Sequence, residues 1–91
     1  RHAAPTIAHF YGIYIRMYVN DHQPPHFHAV YGEYEAIVDI ATGKVINGSL
    51  PKAAKRLVKE WADLHRAELM DNWVRREQGE PLERIPGLDA D

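Results

Sequence analysis

The chain has 91 residues, 45% of them apolar and 26% charged, a mix that suits one compact domain and lies far from the composition of disordered segments. A formal net charge of -2 argues against wholesale coating of nucleic acid, and the lack of cysteine excludes disulfide scaffolds, thiolate zinc sites, iron-sulfur clusters and cysteine nucleophiles. No window approaches the ~20 consecutive apolar residues of a membrane span and no leader is visible, so the expectation is a cytoplasmic protein that makes no membrane contact.

Residues 1–4 begin Arg-His-Ala without methionine and read as a tag or processing remnant, so His2 is left out of the site arguments. All five tyrosines and both phenylalanines fall between Phe10 and Tyr34, an enrichment that favours strands in the first half. Residues 6–11 suit a first strand, with Gly12 as a tight connection or bulge. Residues 13–20 then alternate strictly: Ile13, Ile15, Met17 and Val19 on one face, Tyr14, Arg16, Tyr18 and Asn20 on the other. A second extended region spans residues 26–40 with a break at Gly32. Thr42-Gly43 turns the chain into a short return strand over residues 44–47. The sheet is an antiparallel meander of four or five strands.

Pro51 announces a helix, with Ser49 or the Leu50 backbone in the capping position, and Gly79 with Pro81 ends it. Ala54, Leu57, Val58, Trp61, Leu64, His65, Leu69 and Trp73 share one face, while Lys52, Arg56, Lys59, Asp63 and Arg66 share the other. The fold class is therefore α+β, with one long C-terminal helix packed on one face of the sheet. An unbroken helix over residues 51–78 would be about 42 Å long, so a bend near residues 70–72 or an overhang is expected. An overhanging Trp73 would want a partner chain, which makes a homodimer one of the expected assemblies. The domain spans residues 5–79, and residues 80–91 form an extended acidic tail into which Leu82, Ile85 and Leu88 can dock.

The densest chemical signal is Asn20-Asp21-His22-Gln23-Pro24-Pro25-His26-Phe27-His28-Ala29. On a strand, His26 and His28 project from the same face, near enough to share a metal, and His22 would complete a three-imidazole zinc site, a zinc ion being the one cofactor considered and none being required. Asp21 or Glu33 would supply a carboxylate ligand or orient a ring. The competing reading is architectural, with the rings bonded to carbonyls around the diproline turn. Arg16 between Tyr14 and Tyr18 offers a second signal, since a cation flanked by aromatics can stack bases and neutralise phosphate. If that face and the histidines share a side of the sheet, His26 or His28 as acid or base with Arg16 on a phosphate would equip a metal-free ribonuclease. Tyr14, Arg16, Tyr18, His22, His26 and His28 are thus the candidate binding residues. Lys52, Lys55, Lys59 and Arg66 offer further phosphate contacts, interspersed with Glu60 and Asp63.

Pro5-Thr6-Ile7, the strand Ile13-Tyr14-Ile15-Arg16-Met17-Tyr18, the signature His22-Gln23-Pro24-Pro25-His26-Phe27-His28-Ala29 and the helix run from Leu50-Pro51 through Trp61 to His65 together resemble a family of small bacterial proteins, domain of unknown function 4160. The resemblance extends to about Leu82. It implies a member of a compact two-gene cassette similar to toxin-antitoxin modules, with a cognate small protein encoded nearby and RNA as candidate partners. It assigns no residue a role. Two functions follow for testing: a binding or regulatory component of such a module, or a small hydrolase, either metal-free ribonuclease or zinc-dependent, built on His22, His26 and His28.

Overall fold

The computed structural model describes residues 5–90, so the expectation for residues 1–4 lies outside the described part. Five strands, β1 (Thr6–Phe10), β2 (Ile13–Arg16), β3 (His26–Tyr31), β4 (Tyr34–Asp39) and β5 (Val45–Gly48), precede two helices, α1 (Lys52–Leu64) and α2 (Arg66–Glu77). The strands pair in sequence order, each antiparallel to the next. Tyr11 and Gly12 join β1 to β2 with φ of 50° and 79°, the twist a two-residue hairpin needs. The sheet is thus the expected meander with five strands, and the fold is α+β.

Alternation decides which face is covered. Ile13, Ile15, Phe27, Ala29, Ala36 and Val38 point to the helical side and are buried. A bulge at the start of β1 turns both Ile7 and Ala8 inward. Trp61 from α1 fills the centre of this layer, fully buried, with ring centroids 5.3 Å from Phe10 and 5.8 Å from Phe27. The opposite face carries Tyr14, Arg16, Val30, Glu35 and Ile37, all exposed or half-buried.

Several expectations are corrected. The long helix is two helices, broken at His65 (φ -119°, ψ 27°) and not near residues 70–72. The break turns Leu64 outward, 66% exposed instead of buried, and it aims α2 at the end of the sheet, where Trp73 is buried within its own chain and needs no partner to cover it. Arg66 begins the new helix by donating from Nε to the Ile40 carbonyl oxygen at 2.9 Å, so it does not belong to a purely solvated face. Alternation in β2 holds to Met17 and then fails, leaving Val19 exposed in the loop. Pro51 itself takes the capping position of α1, and no side chain caps it.

Residues 80–90 contain neither helix nor strand, yet they are fastened to the domain. The Ile85 N–H donates to the Ile7 carbonyl at 2.8 Å along the free edge of β1, and Ile85 is buried. Asn72 clasps Glu83 twice, and Trp61 Nε1 donates to the Pro86 carbonyl at 2.8 Å. The tail thereby shields an edge strand that would otherwise offer unpaired backbone groups.

Candidate active site

His26 opens β3 and His28 follows two residues later, so the pleat puts both rings on the face opposite the core. Their ring centroids are 5.4 Å apart and each residue is only 8% exposed. Register pairs Arg16 with His28 across β2 and β3, and Tyr18 meets the His28 ring edge-on at 4.3 Å. The aromatic and cationic strand face and the two histidines therefore share one side of the sheet. Tyr14 is stacked on His9 at 4.2 Å, with the Arg16 guanidinium 5.9 Å from the Tyr14 ring centroid.

The third member of the cluster is Asp21. Its Oδ2 lies 2.9 Å from His26 Nε2 and 3.0 Å from His28 Nε2. The remaining ring nitrogens are also engaged, His26 Nδ1 with the Pro24 carbonyl oxygen at 2.7 Å and His28 Nδ1 with Glu35 Oε2 at 3.1 Å. Among the described residues, Asp21, His26 and His28 offer ligand atoms that all lie within 4.8 Å of one another. His22 is exposed and lies outside that group, and Glu33 is exposed in the turn between β3 and β4. The sequence suggested His22 as the third imidazole, with Asp21 or Glu33 as a carboxylate ligand or ring-orienting group; the loop brings Asp21 to the two rings.

A helix holds the loop in place. Arg76 of α2 is buried, with its guanidinium carbon 3.6 Å from the Trp73 ring centroid, and its Nη1 donates to the Val19 carbonyl at 2.6 Å and the Asp21 carbonyl at 3.4 Å. Trp73 in turn stands 5.2 Å from the His26 ring. No sequence signal pointed to Arg76; a buried arginine late in a helix is visible only once the helix has been placed. Glu35 of β4 stands behind His28.

Two other features lie away from this cluster. Tyr11, Tyr14, Tyr31 and Tyr34 are between 38% and 57% exposed, and antiparallel pairing gathers them at the end of the sheet formed by the β1–β2 and β3–β4 turns. A groove between the turn before β5 and α1 is lined by Lys44, Lys52, Lys55, Arg56 and Lys59, opposed by Glu60 and Asp63. There, hydrogen bonds from Lys59 and then Arg66 hold the Asp63 carboxyl below its ordinary range. Arg66 is thus engaged by its own neighbours, while Lys52 and Lys55 line the groove.

The family model for the Domain of unknown function (DUF4160) matches residues 12–74. The chain belongs to the DUF4160 family. The matched stretch contains Asp21, His26, His28, Glu35 and Trp73, and it stops short of Arg76 and of the docked tail. The DUF4160 match thus covers the cluster itself and only part of the helix that braces it. No curated protein and no solved structure matches the chain. No helix among the described residues is long and apolar enough to cross a membrane.

Proposed function

We propose that this DUF4160 domain is a binding and regulatory component of a two-gene, toxin-antitoxin-like module, acting in the cytoplasm by docking a small cognate protein on the tyrosine-bearing end of its sheet. The observation that carries this reading is the gathering of four exposed tyrosines at one end of the sheet, with Tyr14 on the open face and Tyr31 and Tyr34 on the face that carries the core. Tyrosine presents a large, rigid contact area with a polar tip at low entropic cost, and interfaces are enriched in it. The test is coexpression with the product of the adjacent gene, followed by calorimetric titration of the purified pair. Complex formation is expected, with affinity falling at least ~10-fold in the Tyr14→Ser/Tyr34→Ser variant. A native-like variant that binds as tightly as the wild type, or a pair that does not associate, would refute the reading.

The convergence of Asp21, His26 and His28 beside Arg16 favours a second reading, a small hydrolase acting on RNA or another phosphate ester. Within it, metal-free acid–base work by histidine is the poorer match, because His26 and His28 are each only 8% exposed and all four ring nitrogens lie within 3.1 Å of a protein oxygen, which leaves a substrate little access to them. Cleavage of a labelled RNA that is lost both in His28→Ala and on adding a chelator would support the metal-dependent form. Cleavage that resists the chelator would support the metal-free form, and no cleavage in either condition would remove this reading.

A further inference from the structure

We infer that Asp21, His26 and His28 form a binding site for a single divalent transition-metal ion, with Glu35 and the Pro24 carbonyl fixing the orientation of the two rings. The inference stands whether or not the domain docks a partner or catalyses a reaction. It rests on the convergence of three ligand atoms and on the groups that stand behind the two rings.

A carbonyl oxygen only accepts, so the bond between His26 Nδ1 and Pro24 O at 2.7 Å requires the proton on Nδ1. An ionised carboxylate also only accepts, so the 3.1 Å contact between His28 Nδ1 and Glu35 Oε2 suits the tautomer that keeps its proton on Nδ1 and turns Nε2 toward Asp21 as a ligand atom. In a neutral imidazole the other nitrogen is then a bare lone pair. Both such lone pairs, His26 Nε2 and His28 Nε2, face the same Asp21 oxygen at 2.9 and 3.0 Å, and that oxygen is itself an acceptor. With both rings in that tautomer, three lone pairs converge on one point.

A proton on either Nε2 would be donated to Asp21 and serve one ring at a time. A single dication would bond both nitrogens and the carboxylate at once. Ligand atoms held ~2.0–2.1 Å from an ion lie about 2.9 Å apart at right angles and about 3.3 Å apart at the tetrahedral angle; the two nitrogen–oxygen separations of 2.9 and 3.0 Å match the first and need to open by a few tenths of an ångström for the second. The outer partners suit it too. Metal-bound histidines commonly donate their second N–H to a carbonyl or a carboxylate, and here one ring does each.

The donor set chooses the class of ion. Two imidazoles and one carboxylate suit borderline ions such as Zn2+, Co2+ or Fe2+, whereas Ca2+ and Mg2+ prefer sites made of oxygen. Three protein ligands leave coordination positions for water or an anion, and Arg16 stands on the neighbouring strand beside His28.

The test is calorimetric titration of the chelator-treated full chain with Zn2+, paired with Co2+ absorption that Zn2+ abolishes by displacement. One ion per chain is expected. Asp21→Asn and His28→Gln should each weaken Zn2+ binding ~100-fold or more, and Glu35→Gln, which removes no ligand, ~10–100-fold. His22→Gln should leave the affinity unchanged within about twofold. Glu35 has a half-exposed side chain, so its variant keeps the test sound even if a ligand variant fails to fold. Folded wild-type protein that takes up no Zn2+ at millimolar concentration would overturn the inference. So would binding that is lost in His22→Gln and kept in Asp21→Asn, or histidine nitrogen resonances that report all four ring nitrogens protonated at pH 8 and unmoved by Zn2+.

Discussion

Trp61 offers the sharpest test of how the two layers are held together, because one side chain spans them and also ties down the tail. Its ring is fully buried between Phe10 of β1 and Phe27 of β3, and its Nε1–H is bonded to the Pro86 carbonyl. Two substitutions separate these roles. Trp61→Ala removes the ring and the bond, and truncating a buried tryptophan costs about 3–5 kcal/mol once the cavity is counted. A domain of this length has about 5–14 kcal/mol of stability in total, so the variant should melt at least ~12 °C lower. Trp61→Phe keeps a ring in the layer and loses the hydrogen bond, for which about 0.5–1.5 kcal/mol is expected, plus part of the packing. Its melting point should therefore fall between the other two. The assay is thermal and urea unfolding followed by far-UV circular dichroism. A Trp61→Ala melt within 2–3 °C of wild type would refute the packing account, since even ~1 kcal/mol moves the midpoint of so small a domain by ~4–8 °C. Equal melts for both variants would mean that the bond to Pro86, and not the ring, is what the domain depends on.

Two further outcomes follow from named contacts. Asn72 is buried and both ends of its amide are bonded to the Glu83 backbone, at 2.9 and 2.8 Å, so Asn72→Ala should cost about 1–3 kcal/mol and speed proteolysis within residues 80–90; unchanged protease resistance would mean the tail is held by other contacts. Asp63 is held below its ordinary value of 3.8 by hydrogen bonds from Lys59 and then Arg66. A depressed carboxyl contributes stability that is fully present above the unfolded value and is lost as pH falls through the folded one. Wild type and Asp63→Asn should therefore differ at pH 6 in low salt and converge in acid below pH 3, with the gap narrowing in high salt because the group is exposed. A gap that widens in acid would contradict the assigned sign.

The meander was legible because its signals are local. Period-two alternation through Ile13, Ile15 and Met17, and through Ala36, Val38 and Ile40, fixes which side chains face inward, and glycines mark turns where φ is positive. The helix break at His65 was not legible, because the apolar spacing Trp61, Leu64, His65, Leu69 and Trp73 continues smoothly at 100° per residue. What ends α1 is tertiary. Arg66 bonds to the Ile40 carbonyl, 26 positions earlier in the chain, and Leu64 gives up its burial as α2 turns toward the sheet end. Periodicity cannot report a contact of that kind.

The same distinction explains the candidate site. The pair His26 and His28 could be read from the strand period alone, since a two-residue step returns to the same face. The choice between Asp21 and His22 could not, because neighbouring residues in a loop point in directions set by whatever holds the loop. Here the restraint is Arg76, bonded to the Val19 carbonyl from 57 positions away and stacked over Trp73, which itself abuts His26. The strand supplies the two rings, the loop supplies the carboxylate, and α2 fixes the loop relative to the strand. The tyrosines gather at the far end of β3, where His26 and Tyr31 are separated by about 17 Å of extended backbone. A partner seated on Tyr31 and Tyr34 would therefore leave His26 and Asp21 uncovered. Glu35 adjoins both regions, next to Tyr34 in sequence and bonded to His28, as Arg16 does between Tyr14 and His28. Coupling from Tyr34 to the histidine cluster should pass through Glu35, so a double-mutant cycle between Tyr34 and Glu35 is where non-additivity belongs, while one between Tyr34 and His26 should be close to additive.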